Sequence, residues 1–145
     1  MSDRLAIAHA YEDALFAGDM DAVRRLFTED ITYWVAGDPP IGGTWQGPEA
    51  VIRAFTRREF GLGAADWEYE SVWRDWYAAD ERVIVEIREC SWLKSSPDDV
   101  LDQRTCVVLH FRGEQICDMR DYTDAGVYER FMARHRAELP KFSTA

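Results

Sequence analysis

Cys117-Asp118-Met119-Arg120-Asp121-Tyr122-Thr123-Asp124 is the stretch from which the rest of the chain is read. Strand alternation divides it into two faces. Asp118, Arg120, Tyr122 and Asp124 form a surface-like row. Cys117, Met119, Asp121 and Thr123 form the other, two soft apolar residues followed by a carboxylate. An acid on an apolar face needs a hydrogen-bond partner or must stay neutral, and a general acid or base is commonly made that way. Satisfaction by local backbone or by a neighbouring arginine is the alternative.

Upstream of this strand the period changes twice. Residues 3–17 carry Ile7, Ala8, Tyr11, Ala14 and Leu15 on one helical stripe, so Tyr11 is an inward phenol. Gly18 ends this helix, and Asp19 caps a second that runs to Phe27. Residues 31–35 form a short strand after the acidic turn Glu29-Asp30, with Tyr33 and Val35 on one face. Residues 37–47 are rich in turn residues and read as a loop containing Trp45. Pro48 opens a third helix to Phe60, burying Val51, Ile52 and Phe55, with Gly61 and Gly63 closing it. Four strands follow at 66–76, 82–93, 103–112 and 115–123, broken by turns at 78–80, 95–99 and 113–114, and these predict an antiparallel meander. A last helix runs from Asp124 to Arg136 before a frayed tail at 140–145.

In the 82–93 strand, Val83, Val85, Ile87, Glu89 and Ser91 share the more aliphatic face and turn inward. Glu89 then sits either at the pocket end of this row, beside Asp121, or at a wet rim. In the strand before it, alternation puts Trp67 and Trp73 on one face and Trp76 on the other.

With 145 residues, 47% hydrophobic and 30% charged, the chain predicts one globular α+β domain over 1–145. Helices closing one end of a bent sheet leave a cone-shaped pocket, the natural ligand site. A net charge of −10 argues against nucleic acid and anionic membranes as partners. No apolar run reaches a membrane span, and Met1-Ser2-Asp3-Arg4 leads into a helix rather than a signal core, so a cytoplasmic setting is expected. Cys90, Cys106 and Cys117 are odd in number and form no pairwise motif, consistent with free thiols in a reducing compartment. His9, His110 and His135 are too scattered for a metal cluster, and no glycine-rich phosphate loop occurs. No cofactor is expected.

Tyr11-Glu12-Asp13-Ala14-Leu15-Phe16-Ala17-Gly18-Asp19, Phe27-Thr28-Glu29-Asp30, the Gly43 to Val51 loop-to-helix and Arg120-Asp121-Tyr122-Thr123-Asp124 together resemble the nuclear transport factor 2-like superfamily. This is the cystatin-like α+β cone of ketosteroid isomerases, SnoaL-like polyketide cyclases and limonene-1,2-epoxide hydrolases. The resemblance spans nearly the whole chain and implies a curved antiparallel sheet, N-terminal helices closing a deep pocket, and an added C-terminal helix. Its activities are diverse, so function must be carried over residue by residue.

From ketosteroid isomerases, Tyr11 matches the donor to the enolate oxygen, but the catalytic base falls at Val35 and the second oxyanion donor near Val107, which argues against steroid isomerisation. From epoxide hydrolases, Asp121 matches a catalytic Asp and Tyr33 a water-positioning Tyr. The companion Asn falls at Val35, and an Asp–Arg pair falls on Glu89 and Ile87. SnoaL-like cyclases ask only for the last-strand acid, Asp121.

The expected site is therefore Asp121, Tyr11, Tyr33 and Glu89 as catalytic groups, with Val35, Phe55, Ile87, Val107 and Met119 against the substrate. The leading expectation is cofactor-independent acid/base chemistry on a small hydrophobic or aromatic carbonyl compound, by cyclisation, isomerisation or dehydration through an enolate. Epoxide hydrolysis and a non-catalytic binding or assembly module are the alternatives. The outer sheet face, with Glu86, Arg88, Val108, His110 and Tyr122, mixes apolar and charged groups in a way that suits a homodimer contact.

Overall fold

The computed structural model describes residues 3–39, 41–56 and 66–136. Helix α1, Arg4–Ala17, begins where the Asp3 side chain accepts from the Ala6 N–H, and it stops at Gly18, whose φ of 74° few other residues tolerate. Helix α2, Met20–Arg25, is capped in the same way by Asp19. The third helix, α3, is Pro48–Thr56. The expected continuation to Phe60, with Gly61 and Gly63, lies outside the described residues, as does the tail 140–145. Helix α4, Ala125–Arg134, starts on the Asp124 cap.

The strands are β1 Phe27–Val35, β2 Gly43–Gln46, β3 Trp67–Ala79, β4 Arg82–Leu93, β5 Ser96–Arg112 and β6 Gln115–Asp121. They form one curved sheet in the order β2-β1-β6-β5-β4-β3. The β3-to-β6 segment is the expected antiparallel meander, and β1 returns alongside β6 in parallel. Gly113, at φ 64°, makes the tight β5–β6 turn. No helix among the described residues is long and apolar enough to cross a membrane.

Several boundaries differ from the sequence reading. Helix α2 ends at Arg25, and Phe27 already belongs to β1, so Glu29-Asp30 is an irregularity within that strand rather than a turn before it. The loop expected over 37–47 contains the edge strand β2, whose Trp45 lies against Tyr33 at a ring separation of 5.6 Å. Strand β5 begins at Ser96 because Leu101 pairs opposite Ser91 and is buried under α4; that packing overrides the poor strand propensity of Ser96-Pro97-Asp98-Asp99.

Two β-bulges change which side chains point inward. At Cys117, Ile116 sits opposite Phe111 while Asp118 sits opposite His110, so the inner row is Ile116, Met119, Asp121 and not Cys117. At Val72, Ser71 pairs with Glu89 but Trp73 pairs with Arg88. Trp67 and Trp76 therefore share the inner face, opposite the buried Leu93 and Val85, and Trp73 is outside. This reverses the parity read from the sequence, and it turns Arg74 inward opposite Ile87.

Two apolar cores result. The larger lies beneath α1, α2 and α3 and is built on Ile31, Val83, Leu109 and Phe111; the smaller joins Leu93 and Leu101 to Phe131 and Tyr128 of α4. In the loop before β2, a Cβ on Gly42 would collide with the Gly37 carbonyl oxygen. Backbone cannot yield as a flexible side chain does. Gly42→Ala should therefore cost about 2–3 kcal/mol of unfolding free energy, read from urea denaturation.

Candidate active site

Between the two cores the inner face of the sheet carries polar side chains, among them Glu89, Gln103, Thr105 and Asp121. Two connected compartments of about 180 and 160 Å³ occupy this region and share Phe16, Glu89, Thr105 and Asp121 as lining. The outer one is bounded by Trp67, Tyr69 and Tyr128, and the inner one by Tyr11, Tyr33 and Phe55.

Asp121 stands where the compartments meet. Thr105 donates its hydroxyl to Oδ1 at 2.7 Å, and Tyr33 donates to Oδ2 at 3.2 Å. Both oxygens thus act as acceptors for neutral donors, which fixes the carboxylate's orientation. Its partners across the sheet are Val35 on β1 and Val107 on β5. The two positions that the ketosteroid isomerase resemblance would fill with acids are thus valines flanking the Asp121 carboxylate. Tyr11 lies nearby on α1, and its phenol is pushed well above its ordinary value, first by burial and then by Tyr33, Glu12 and Asp121. It keeps its proton and serves as a hydrogen-bond donor.

A second polar cluster lies along the cavity wall. Arg74 donates through Nη1 to both Glu12 oxygens at 2.7 and 2.8 Å, through Nε to Ser71 at 3.2 Å, and through Nη2 to the Tyr69 hydroxyl. Glu89 lies 3.8 Å from the same guanidinium. Burial raises the Glu89 carboxyl, against lowering by the Tyr69 hydrogen bond and Arg74. Burial likewise raises Glu12, with Arg74 opposing it. The Tyr69 phenol rises to about 12 through burial and Glu89. Glu89 therefore faces the cavity, with 22% of its side chain exposed, rather than standing at a wet rim.

All nine residues singled out from the sequence line one or both compartments: Asp121 and Glu89 both, Val35 the outer, and Tyr11, Tyr33, Phe55, Ile87, Val107 and Met119 the inner. The sequence reading missed Glu12, Arg74 and Thr105. Alternation from Val107 would have found Thr105; the Val72 bulge hid Arg74, and Glu12 had no signal without it. Arg88 turns outward and pairs with Asp102 at 2.8 Å, so the cavity's guanidinium comes from β3 instead. Among the described residues, no three His, Cys, Asp or Glu side chains gather as a metal site.

The SnoaL-like domain family model matches residues 8–119, which contains both sheet-borne clusters except for Asp121 itself. The chain belongs to the SnoaL-like family. Solved structures agree on the fold. A nuclear transport factor 2-like protein from Burkholderia xenovorans superposes with a TM-score of 0.74 at 20% identity, covering 88% of this chain and 93% of that one. An epoxide hydrolase of the LEH-like type from M. tuberculosis gives 0.66 at 17% identity, covering 92% of each chain. A putative polyketide cyclase from Xanthomonas campestris gives 0.66 at 19%, covering 86% and 93%. At these identities the likeness establishes the SnoaL-like fold and not a reaction. No curated protein matches the chain.

Proposed function

We propose that this SnoaL-like protein is a cofactor-independent acid/base enzyme acting on a small hydrophobic or aromatic carbonyl compound. The observation that carries this reading is the Asp121 carboxylate, held by Tyr33 and Thr105 at the junction of the two compartments. Asp121 takes a proton from the carbon next to the carbonyl. The C–H electron pair moves into the enolate, whose oxygen accepts a hydrogen bond from Tyr11. Return of the proton to another carbon gives isomerisation; attack of the enolate carbon on a second carbonyl gives cyclisation; loss of a β-hydroxyl gives dehydration. Because Tyr33 already donates to Asp121, it orients the base, and Tyr11 is the donor for the enolate oxygen.

Proton–deuterium exchange at the α-carbons of 2-tetralone in D2O, followed by NMR, tests the proposal. Exchange well above the solvent rate supports it, and Tyr11→Phe should then slow the exchange by about 10²-fold. Exchange at the solvent rate rejects it and favours a binding module.

Epoxide hydrolysis is a second reading, favoured by the Arg74–Glu89 contact and the raised Glu89 carboxyl. Asp121 would then deprotonate the attacking water while Glu89 protonates the opening epoxide oxygen. Styrene oxide in ¹⁸O-labelled water distinguishes it, because hydrolysis places one labelled oxygen in the diol.

We further infer that the protein pairs through its outer sheet face, where Tyr77 and Tyr122 are about half exposed. Light scattering should find a dimer, and Tyr122→Glu should shift it to monomer.

A further inference from the structure

We propose that the outer compartment seats a protonated amine, so that the substrate is an amine-bearing aromatic or hydrophobic carbonyl compound. The proposal rests on the acid/base reading above only for the position of the reacting carbon, at Asp121.

The sheet register builds the seat. Glu89 on β4 lies directly opposite Gln103 on β5, and Ser91, two residues on, shares the same inner face. Ser91 is 5% exposed and Gln103 6%. Among the described residues the Ser91 hydroxyl makes no side-chain hydrogen bond, yet it lines the compartment. Gln103 spends its amide N–H on Thr123, which leaves its carbonyl oxygen as the remaining acceptor. With the Glu89 carboxylate, whose lone pairs are not exhausted by the Tyr69 hydrogen bond and the Arg74 contact at 3.8 Å, these acceptors match the three N–H donors of an ammonium group.

The walls suit the same guest. Tyr69 pairs opposite Ser91 on β3, and Trp67 stands one step further along. Tyr128 from α4 and Phe16 from α1 line the remaining sides. Aromatic faces attract a cation through their quadrupoles, most strongly where water is excluded. No Lys, Arg or His is among the described residues lining this compartment; Arg74 belongs to the inner one. Over both compartments, the lining residues described carry three carboxylates, Glu12, Glu89 and Asp121, against the single guanidinium of Arg74. An anionic guest would face net repulsion, and a neutral hydroxyl would bring one donor where an ammonium brings three.

Calorimetric titration of the full chain with three probes of one shape tests this: 2-phenylethylamine in its protonated form, 2-phenylethanol and phenylacetate. The amine should bind about tenfold more tightly than the alcohol, and phenylacetate more weakly still. Glu89→Gln and Ser91→Ala, each checked for an unchanged circular dichroism spectrum, should bring the amine towards the alcohol's affinity. The proposal is overturned if the alcohol or phenylacetate binds as tightly as the amine, if none of the three binds, or if both variants keep the full preference. Failure here is separable from failure of the catalytic reading. Loss of the amine preference with 2-tetralone exchange intact removes only the amine seat. Amine preference without exchange removes only the chemistry.

Discussion

Replacing Asp121 with Asn is expected to lower the rate of α-proton exchange by about 10³-fold while leaving the fold intact. Asn is nearly isosteric with Asp, and its carbonyl oxygen still accepts from Thr105, which now holds Oδ1 at 2.7 Å. Its amide N–H₂ can donate to the Tyr33 hydroxyl in place of the bond that the tyrosine makes to Oδ2. The side chain thus keeps its contacts and loses its basicity. The prediction is read from exchange of 2-tetralone in D2O alongside a urea melt of each protein. A variant that melts like the parent and exchanges at the solvent rate supports Asp121 as the base. One that melts like the parent and exchanges at the parent's rate removes Asp121 from the mechanism.

The largest effect on stability is expected at Arg74. Its side chain is 16% exposed and Glu12's is 15%, so the pair is largely shielded from water. Arg74→Met should cost about 3–5 kcal/mol at about pH 7.5, because it leaves two carboxylates, Glu12 and Glu89, facing one low-dielectric space without a counter-charge. The sign of the pH dependence follows from burial. Burial raises both carboxyls above the ordinary 4.5. A raised value means that the folded chain binds more protons than the unfolded one, so the stability these groups contribute is complete below about pH 4.5 and is lost as pH rises through their raised values. Arg74 limits that loss by lowering both carboxyls, and its removal deepens the loss. The deficit of Arg74→Met should therefore shrink towards about pH 5, where the carboxyls take up protons. Adding Glu12→Gln to it should recover part of the stability at the higher pH. An equal deficit at both pH values would mean that the arginine acts by packing alone.

These two residues also mark how far the sequence could be read. Asp121 was visible because alternation holds over the last few residues of β6: Met119 is fully buried and Asp121 follows on the same face. Tyr11 was visible because the stripe of α1 is regular between the Asp3 cap and Gly18. Glu89 could be placed on the right face of β4, where buried Val83, Val85 and Ile87 precede it. Arg74 was not legible. Whether one residue is inserted into a strand depends on what its partner strand presents, and no local pattern in Trp67–Ala79 marks Val72 as the extra one. Strands β2 and the first half of β5 were missed for a related reason. Thr44 and Trp45 of β2 sit between Gly43 and Gly47, and Ser96-Pro97-Asp98-Asp99 of β5 has weak strand preference; the two segments become strand where β1 and β4 supply the partner and, for β5, where α4 buries Leu101.

Spacing within single segments was enough to read the helices, the long strands of the meander, the α+β class and the inward carboxylate of the last strand. Long-range packing was needed to bring Tyr33 and Thr105 to that carboxylate, to join Arg74 to Glu12 and Glu89, and to put Glu89, Ser91 and Gln103 in one compartment. Each of those arrangements depends on register between strands far apart in the chain. Register is set by the whole sheet finding one packing against its helices, and one inserted residue suffices to turn a side chain from one face to the other.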